Sequence, residues 1–502
     1  MRRHRKGDAE GARRGYERAI RIDPGDGDAH GLLAMLETDL GRLAVAEGHA
    51  RKAISASPDD AVHYSTLGNI ERLTGRLEAA EATLRKGLDL DARLPQLHVS
   101  LGLVHHAAGR RAEAMACYVA ALRIDATCAE AHLQVGYAFH EDGDTEGAIA
   151  AYEQAAACAP GLFDAALNLS NALALQQRFE EAVQAADRAL RILPNAPPAL
   201  LNRGAALAGL GEYDEAASTF ARVTRLAPGS AEAFRDLGGA LYRAGRMDEA
   251  IDAFRNSLAL QPDAFLTRST YLFCLNYRET DPTALREAHD GIAPIRIVSE
   301  RPRVHGRAGR LRVGYVSPDF RRHSVAHFAA GPIERRDRGR FEVVCYHTSR
   351  YRDAWTERFR GWADAFVEAG HLSDEALAKR IAEDQIDVLI DLAGHTGGTR
   401  LPVFARRPAT VQIGYLGYPT RTGAPYLDYR LTDRAVDPRP RCIFRTATSA
   451  SGRKNHRRSA RPRRYAAERL PSDPSMCSPR SATTQLRCGP LCLHGFLSPG
   501  CC

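Results

Sequence analysis

The sequence predicts an α-solenoid of stacked two-helix repeats, then an α/β lobe on a parallel sheet, then a disordered tail. Three observations carry this. Prolines recur on a 34-residue grid as far as Pro262, short apolar strands alternate with helices from Leu311, and both patterns stop after about Asp437.

Pro24, Pro58, Pro160, Pro194, Pro228 and Pro262 stand on the grid, with Ala92 and Ala126 at its other two points. Alanine lies twelve residues before all eight points, from Ala12 to Ala250. Seventeen before them glycine fills seven of eight positions, Gln177 being the exception. Twenty-four before them come Gly68, Gly102, Gly136, Gly204 and Gly238, with Ala34 and Ser170 also small. The small slot lets two antiparallel helices cross closely. The second glycine ends the first helix in a left-handed conformation. Alanine keeps the second helix near its partner, and proline stops it. Period and residues resemble the tetratricopeptide repeat. One partial and seven full repeats (27–60 through 231–264) then fill residues 1–264. Such arrays curl around a concave, polypeptide-binding surface. Two residues before the small slot stand Thr66, Ser100, Gln134, Asn168, Asn202 and Asp236. They suit a ladder gripping the backbone of an extended peptide, or a helix face that is merely polar.

Charge excludes one class of partner. Residues 441–502 carry 12 Lys+Arg against Glu468 and Asp473, which leaves 57 basic and 59 acidic residues in 1–440. The patterned part is near neutral, without the basic footprint of a nucleic-acid binder. No run of about 18 apolar residues occurs, and none follows the basic start MRRHRKGDAEGARR, so no membrane partner and a cytoplasmic location are expected. Five cysteines are scattered through 440 residues and six crowd the last 62, without zinc spacing; no metal is expected.

Residues 265–310 predict a helical linker (AFLTRSTYLFCLNY, then PTALREAHDGI) ending in the basic stretch SERPRVHGRAGR. In 311–440, LRVGYVS, FEVVCYHT, DVLIDLAG, VQIGYLGYP and YLDYRLTD predict strands. Apolar strands separated by helices give a parallel sheet covered on both faces, with ligands beyond the carboxyl ends of its strands. Those ends carry Asp319, His323 and His327; Asp391, His395 and Thr396; and Tyr418, Pro419, Thr422 and Gly423. Histidines beside carboxylates suit proton transfer or a phosphate-bearing ligand, although loop histidines are commonly structural donors.

A repeat array followed by STYLFCLNY, LRVGYVSPDFRRHSVAHF and IDVLIDLAGHTGGTRLPVFARRPATVQIGYLGYPTRTGAPYLDY resembles the O-linked N-acetylglucosamine transferase family, including SPINDLY-type proteins. The resemblance implies the first, Rossmann-like half of a two-lobed GT-B glycosyltransferase. It also implies UDP-N-acetylglucosamine as co-substrate, no separate cofactor or metal, and transfer to Ser/Thr of proteins held by the repeats. By resemblance His323 matches the first-lobe active-site histidine, and His395 with Asp391 a second catalytic loop. Asp319, Thr396, Tyr418, Pro419 and Thr422 fall among the substrate-binding positions. Ser324 and Arg421 depart from the family pattern. Residues 441–502, rich in Arg, Pro, Ser and Cys, carry no strand or helix periodicity and read as out of frame or disordered. The sequence therefore predicts a catalytic domain truncated before its second lobe, with little or no activity. A non-catalytic adaptor and a sugar-nucleotide sensor are the competing functions.

Overall fold

The computed structural model describes residues 8–279, 281–290, 309–415, 417–418 and 422–431. Helix α1 (Ala9–Ile22) is the second helix of a partial repeat. Seven pairs follow: α2 (Gly27–Asp39) and α3 (Leu43–Ala56), α4 (Ala61–Leu73) and α5 (Leu77–Leu90), α6 (Pro95–Ala107) and α7 (Arg111–Ile124), α8 (Ala129–Glu141) and α9 (Thr145–Cys158), α10 (Phe163–Leu175) and α11 (Phe179–Ile192), α12 (Pro197–Leu210) and α13 (Tyr213–Leu226), α14 (Ala231–Arg243) and α15 (Met247–Leu260). The grid prolines fall two residues past the second helices. The alanine slot is buried throughout, Ala12 at 4% being the most exposed of the eight. Glycines 41, 75, 109, 143, 211 and 245 all hold φ between 73° and 86°, and Gln177 takes the same left-handed conformation at φ 59°.

The small slot works differently from the sequence expectation. What approaches the glycine is a side chain from the second helix, sixteen residues on. A Cβ at Gly102, Gly136, Gly204 or Gly238 would lie 2.4–2.7 Å from the rings of Tyr118, Tyr152, Phe220 or Phe254, and one at Gly68 would lie 2.5 Å from Leu84. Where the slot holds Ala34 or Ser170, the opposing residue shrinks to Ala50 or Ala186. The two positions vary inversely, glycine facing a large side chain and alanine or serine facing alanine.

The polar ladder residues Thr66, Ser100, Gln134, Asn168, Asn202 and Asp236 are all half-buried. Several bond within the array. Asn168 Nδ2 donates to the Tyr137 hydroxyl (2.8 Å), Asn202 Nδ2 to the Leu167 carbonyl (3.2 Å), and Ser100 pairs with Ser65 (3.2 Å). Asn168, Asn202 and Ser100 thereby tie successive first helices together.

Helix α16 (Phe265–Arg278) extends the array, with Cys274 and Leu272 buried, and α17 (Pro282–Asp290) follows. The lobe then runs β1 (Leu311–Ser317), α18 (Ser324–Glu334), β2 (Phe341–His347), α19 (Ala354–Trp362), β3 (Ala365–Glu368), α20 (Asp374–Glu383), β4 (Val388–Asp391), α21 (Leu401–Ala405), β5 (Val411–Tyr415) and β6 (Tyr429–Leu431). All six strands are parallel in the order β3-β2-β1-β4-β5-β6. Alternate residues feed two cores. Val313, Tyr315, Val343 and Cys345 pack with Ala326, Ala329 and Phe359 on one face; Val316, Val344 and Tyr346 pack with Leu377, Ile381 and Phe404 on the other. Strand β3 escaped the sequence pattern because it is four half-exposed residues at the sheet edge. The strand read over 387–394 stops at Asp391, whose side chain captures the N–H groups of Ala393 and Gly394 and turns the chain.

Candidate functional site

The strand order reverses between β1 and β4: the chain leaves β1 toward β2 on one side and later returns to β4 on the other. Such a switch point opens a crevice at the carboxyl edge of the sheet. Its walls are the loops after β1 and β4, which touch where Gly398 (φ 75°) lies so close that a Cβ would sit 2.9 Å from Pro318. On the first loop Asp319 is 6% exposed. Its carboxylate lies 3.5 Å from Arg321 Nε and 3.6 Å from His323 Nδ1. His323 caps α18, its Nδ1 accepting from the Val325 N–H at 3.3 Å, so the neutral ring carries its proton on Nε2. Asp353 caps α19 and also accepts the Arg322 N–H (2.6 Å), fixing the loop from the far side. His327, one turn along α18, is exposed and stands edge-on to Trp355 at 4.6 Å.

Three more polar atoms at this edge are buried without a hydrogen-bond partner: Arg321 Nε, His347 Nδ1 and Thr348 Oγ1. His347 Nε2 donates to the Tyr351 carbonyl (2.9 Å), which makes the orphaned Nδ1 an acceptor. Buried polar atoms without a hydrogen-bond partner are uncommon and costly, and three of the ten among the described residues lie at this edge.

The second loop has another character. Asp391 is buried, and burial raises its carboxyl to about 6 even though two backbone N–H groups oppose the shift. His395 is 4% exposed, with Nδ1 2.7 Å from Ser269 Oγ and Nε2 2.8 Å from the Thr422 carbonyl. Nε2–H donates to that carbonyl and Nδ1 accepts from the serine. Burial lowers the ring to about 4, so it is neutral. Tyr418 packs edge-on to His395 at 5.1 Å, and its hydroxyl accepts from Asn276 Nδ2 (2.6 Å) and meets His289 Nε2 (2.7 Å). His289 Nδ1–H donates to the Leu285 carbonyl (2.7 Å), so its Nε2 accepts from the tyrosine. Gly423 (φ 67°) lets the chain pass against the His289 carbonyl, which a Cβ would approach to 2.0 Å. Thr396 donates its hydroxyl to the Ala393 carbonyl (2.8 Å) and shapes the turn.

The sequence-predicted residues thus divide. Asp319 and His323 line the crevice after β1; Asp391 and Thr396 shape the loop opposite; His395, Tyr418 and Thr422 join Ser269, Asn276 and His289 in a knot binding the last array helices to the lobe. Pro419 lies outside the described residues. Sequence reading missed Ser269, Asn276 and His289, whose partners are 126 to 142 positions away in the chain, and His347, which ends β2 inside an apolar run.

Comparison with known proteins adds the following. The profile of glycosyl transferase family 41 matches residues 268–443, and tetratricopeptide-repeat profiles match 4–61, 64–93, 99–162, 163–197 and 201–265. The Arabidopsis thaliana protein named probable UDP-N-acetylglucosamine–peptide N-acetylglucosaminyltransferase SEC is 41% identical over 130 residues, 26% of this chain and 13% of the relative. The SPINDLY protein of Oryza sativa is 34% identical over 197 residues, 36% of this chain and 21% of the relative. The solved O-GlcNAc transferase mutant of Thermobaculum terrenum aligns at TM-score 0.45 and 30% identity over 61% of this chain and 54% of that one. The matched segments therefore span well under two thirds of these relatives.

Proposed function

We propose, from a chain that joins a tetratricopeptide-repeat array to a glycosyl transferase family 41 region, that it serves protein O-glycosylation. N-acetylglucosamine would pass from UDP-N-acetylglucosamine to Ser/Thr of polypeptides laid along the repeats. The observation that carries this is the switch-point crevice, where the half-exposed His323 stands 3.6 Å from Asp319 beside orphaned polar atoms. His323 is the group for proton transfer or for hydrogen-bonding a donor phosphate. Asp391 and His395 support the loop opposite. The names of the relatives support the donor and acceptor classes.

The alternative, a non-catalytic adaptor, is favoured by one observation: both ring nitrogens of His395 are committed to structure. The test is UDP-N-acetylglucosamine with a Ser/Thr-rich peptide, followed by mass spectrometry, with calorimetry for donor binding. His323→Asn keeps the helix cap and removes the ring; it is expected to abolish transfer or to weaken donor binding at least ten-fold. Transfer and donor binding left unchanged by His323→Asn would refute this role for His323. Peptide binding with no donor heat at millimolar concentration selects the adaptor.

A further inference from the structure

Far from the crevice, the first two full repeats bring together a cluster that the proposed sugar transfer does not use. Asp28, in the first turn of α2, and Asp60 and His63, at the start of α4, each offer a ligand atom, and the three atoms lie within 4.8 Å of one another. His63 is 3% exposed, and its Nε2 is buried with no hydrogen-bond partner. The nearest acidic atom is Asp60 Oδ2 at 3.5 Å. Asp60 divides its two oxygens. Oδ1 accepts the Val62 N–H (2.9 Å) and caps the helix, which aims Oδ2 at the histidine. On its other flank the imidazole rests against Gly31, where a Cβ would come within 2.9 Å of Nδ1. The ring is therefore clamped with an unused nitrogen turned toward two carboxylates.

We propose that Asp28, Asp60 and His63 form a binding site for a divalent transition-metal cation of the zinc type. An imidazole nitrogen with two carboxylates is a normal zinc donor set, leaving a fourth position for water. Bonds of about 2.0–2.1 Å place tetrahedral ligands roughly 3.3 Å apart. The Asp60–His63 pair already stands near that spacing, and the exposed Asp28 side chain is free to swing in. The hydrogen bond from Val62 to Asp60 supplies the outer-sphere orientation that metal carboxylates need. Because the ligands come from two repeats, the ion would staple α2 to α4 and stiffen that stretch of the array. This proposal stands independently of the transferase reading.

The test uses the full chain and zinc chloride alone, after treatment with chelator. Calorimetry and thermal melts are recorded for the wild type, Asp28→Asn and Asp60→Asn. Asparagine retains the cap at position 60, and Asp28 is exposed, so both variants keep the fold; circular dichroism in chelator checks this. Expected are a zinc-dependent rise of the melting temperature in the wild type and an apparent affinity at least ten-fold weaker in either variant. Zinc taken up by the C-terminal cysteines would be insensitive to both substitutions. Identical titrations for the three proteins, or no zinc-dependent shift in the wild type, would overturn the proposal.

Discussion

Two adjacent glycines on α14 should respond in opposite directions to the same substitution. A Cβ at Gly238 would lie 2.7 Å from Phe254 Cδ1 and Cε1, while one at Gly239 meets nothing within 4 Å. Phe254 is 2% exposed and cannot retreat without disturbing its own core. Alanine in a helix interior gains about 1 kcal/mol over glycine. Overpacking a close-fitting site costs about 1–3 kcal/mol. Gly239→Ala should therefore stabilise by about 1 kcal/mol, and Gly238→Ala should destabilise by up to about 2 kcal/mol. The assay is urea denaturation followed by helical circular dichroism, comparing midpoints at unchanged slope. Midpoints that rise together would refute the pairing of glycine with the ring opposite it and leave only helix propensity.

Three further outcomes are expected. Gln177→Gly should raise stability by about 1 kcal/mol, since a left-handed residue with a Cβ (φ 59°) is strained and glycine is not; a thermal melt checks it. Tyr418→Phe should remove the hydroxyl that Asn276 Nδ2 and the buried His289 Nε2 meet, at about 1–3 kcal/mol; hydrogen exchange of α17 should accelerate about ten-fold, and unchanged exchange would argue against the knot. The pH dependence separates the two buried loop groups. The His395 ring, lowered from 6.5 to about 4, is neutral when folded, so its share of stability rises with pH from about 4 to 6.5. Asp391, raised from 3.8 to about 6, favours the protonated fold, so its share is present below 3.8 and is lost as pH rises through about 6. Between about 4 and 6 the two oppose. Asp391→Asn should unmask a rise with pH and His395→Gln a fall, each up to about 1.4 kcal/mol per unit, measured by denaturation across that range.

The array was legible because a fixed period repeats its signals eight times. Gln177 shows the limit: the conformation belongs to the position, and the residue only reports how comfortably it is adopted. The sheet was legible from Leu311 to Tyr415 because apolar runs punctuated by helices have one common solution. One edge was not, since β3 is four residues that are mostly half-exposed, whereas YLDYRLTD did hold β6. Asp319 and His323 could be placed on the crevice from strand ends alone. The environment of His395 could not, because Ser269 and Asn276 look like ordinary polar residues on a helix until the array folds back onto the lobe.

The glycine of the small slot and the side chain opposite it lie inside one 34-residue unit, sixteen positions apart, whereas Gly209 fits the Phe179 ring of the preceding unit. Each module thus carries its own notch and tongue. Adding or removing a whole module leaves that internal fit undisturbed, and only junction fits such as Gly209 with Phe179 must be matched anew. The closeness of each helix pair is thus set within its own module.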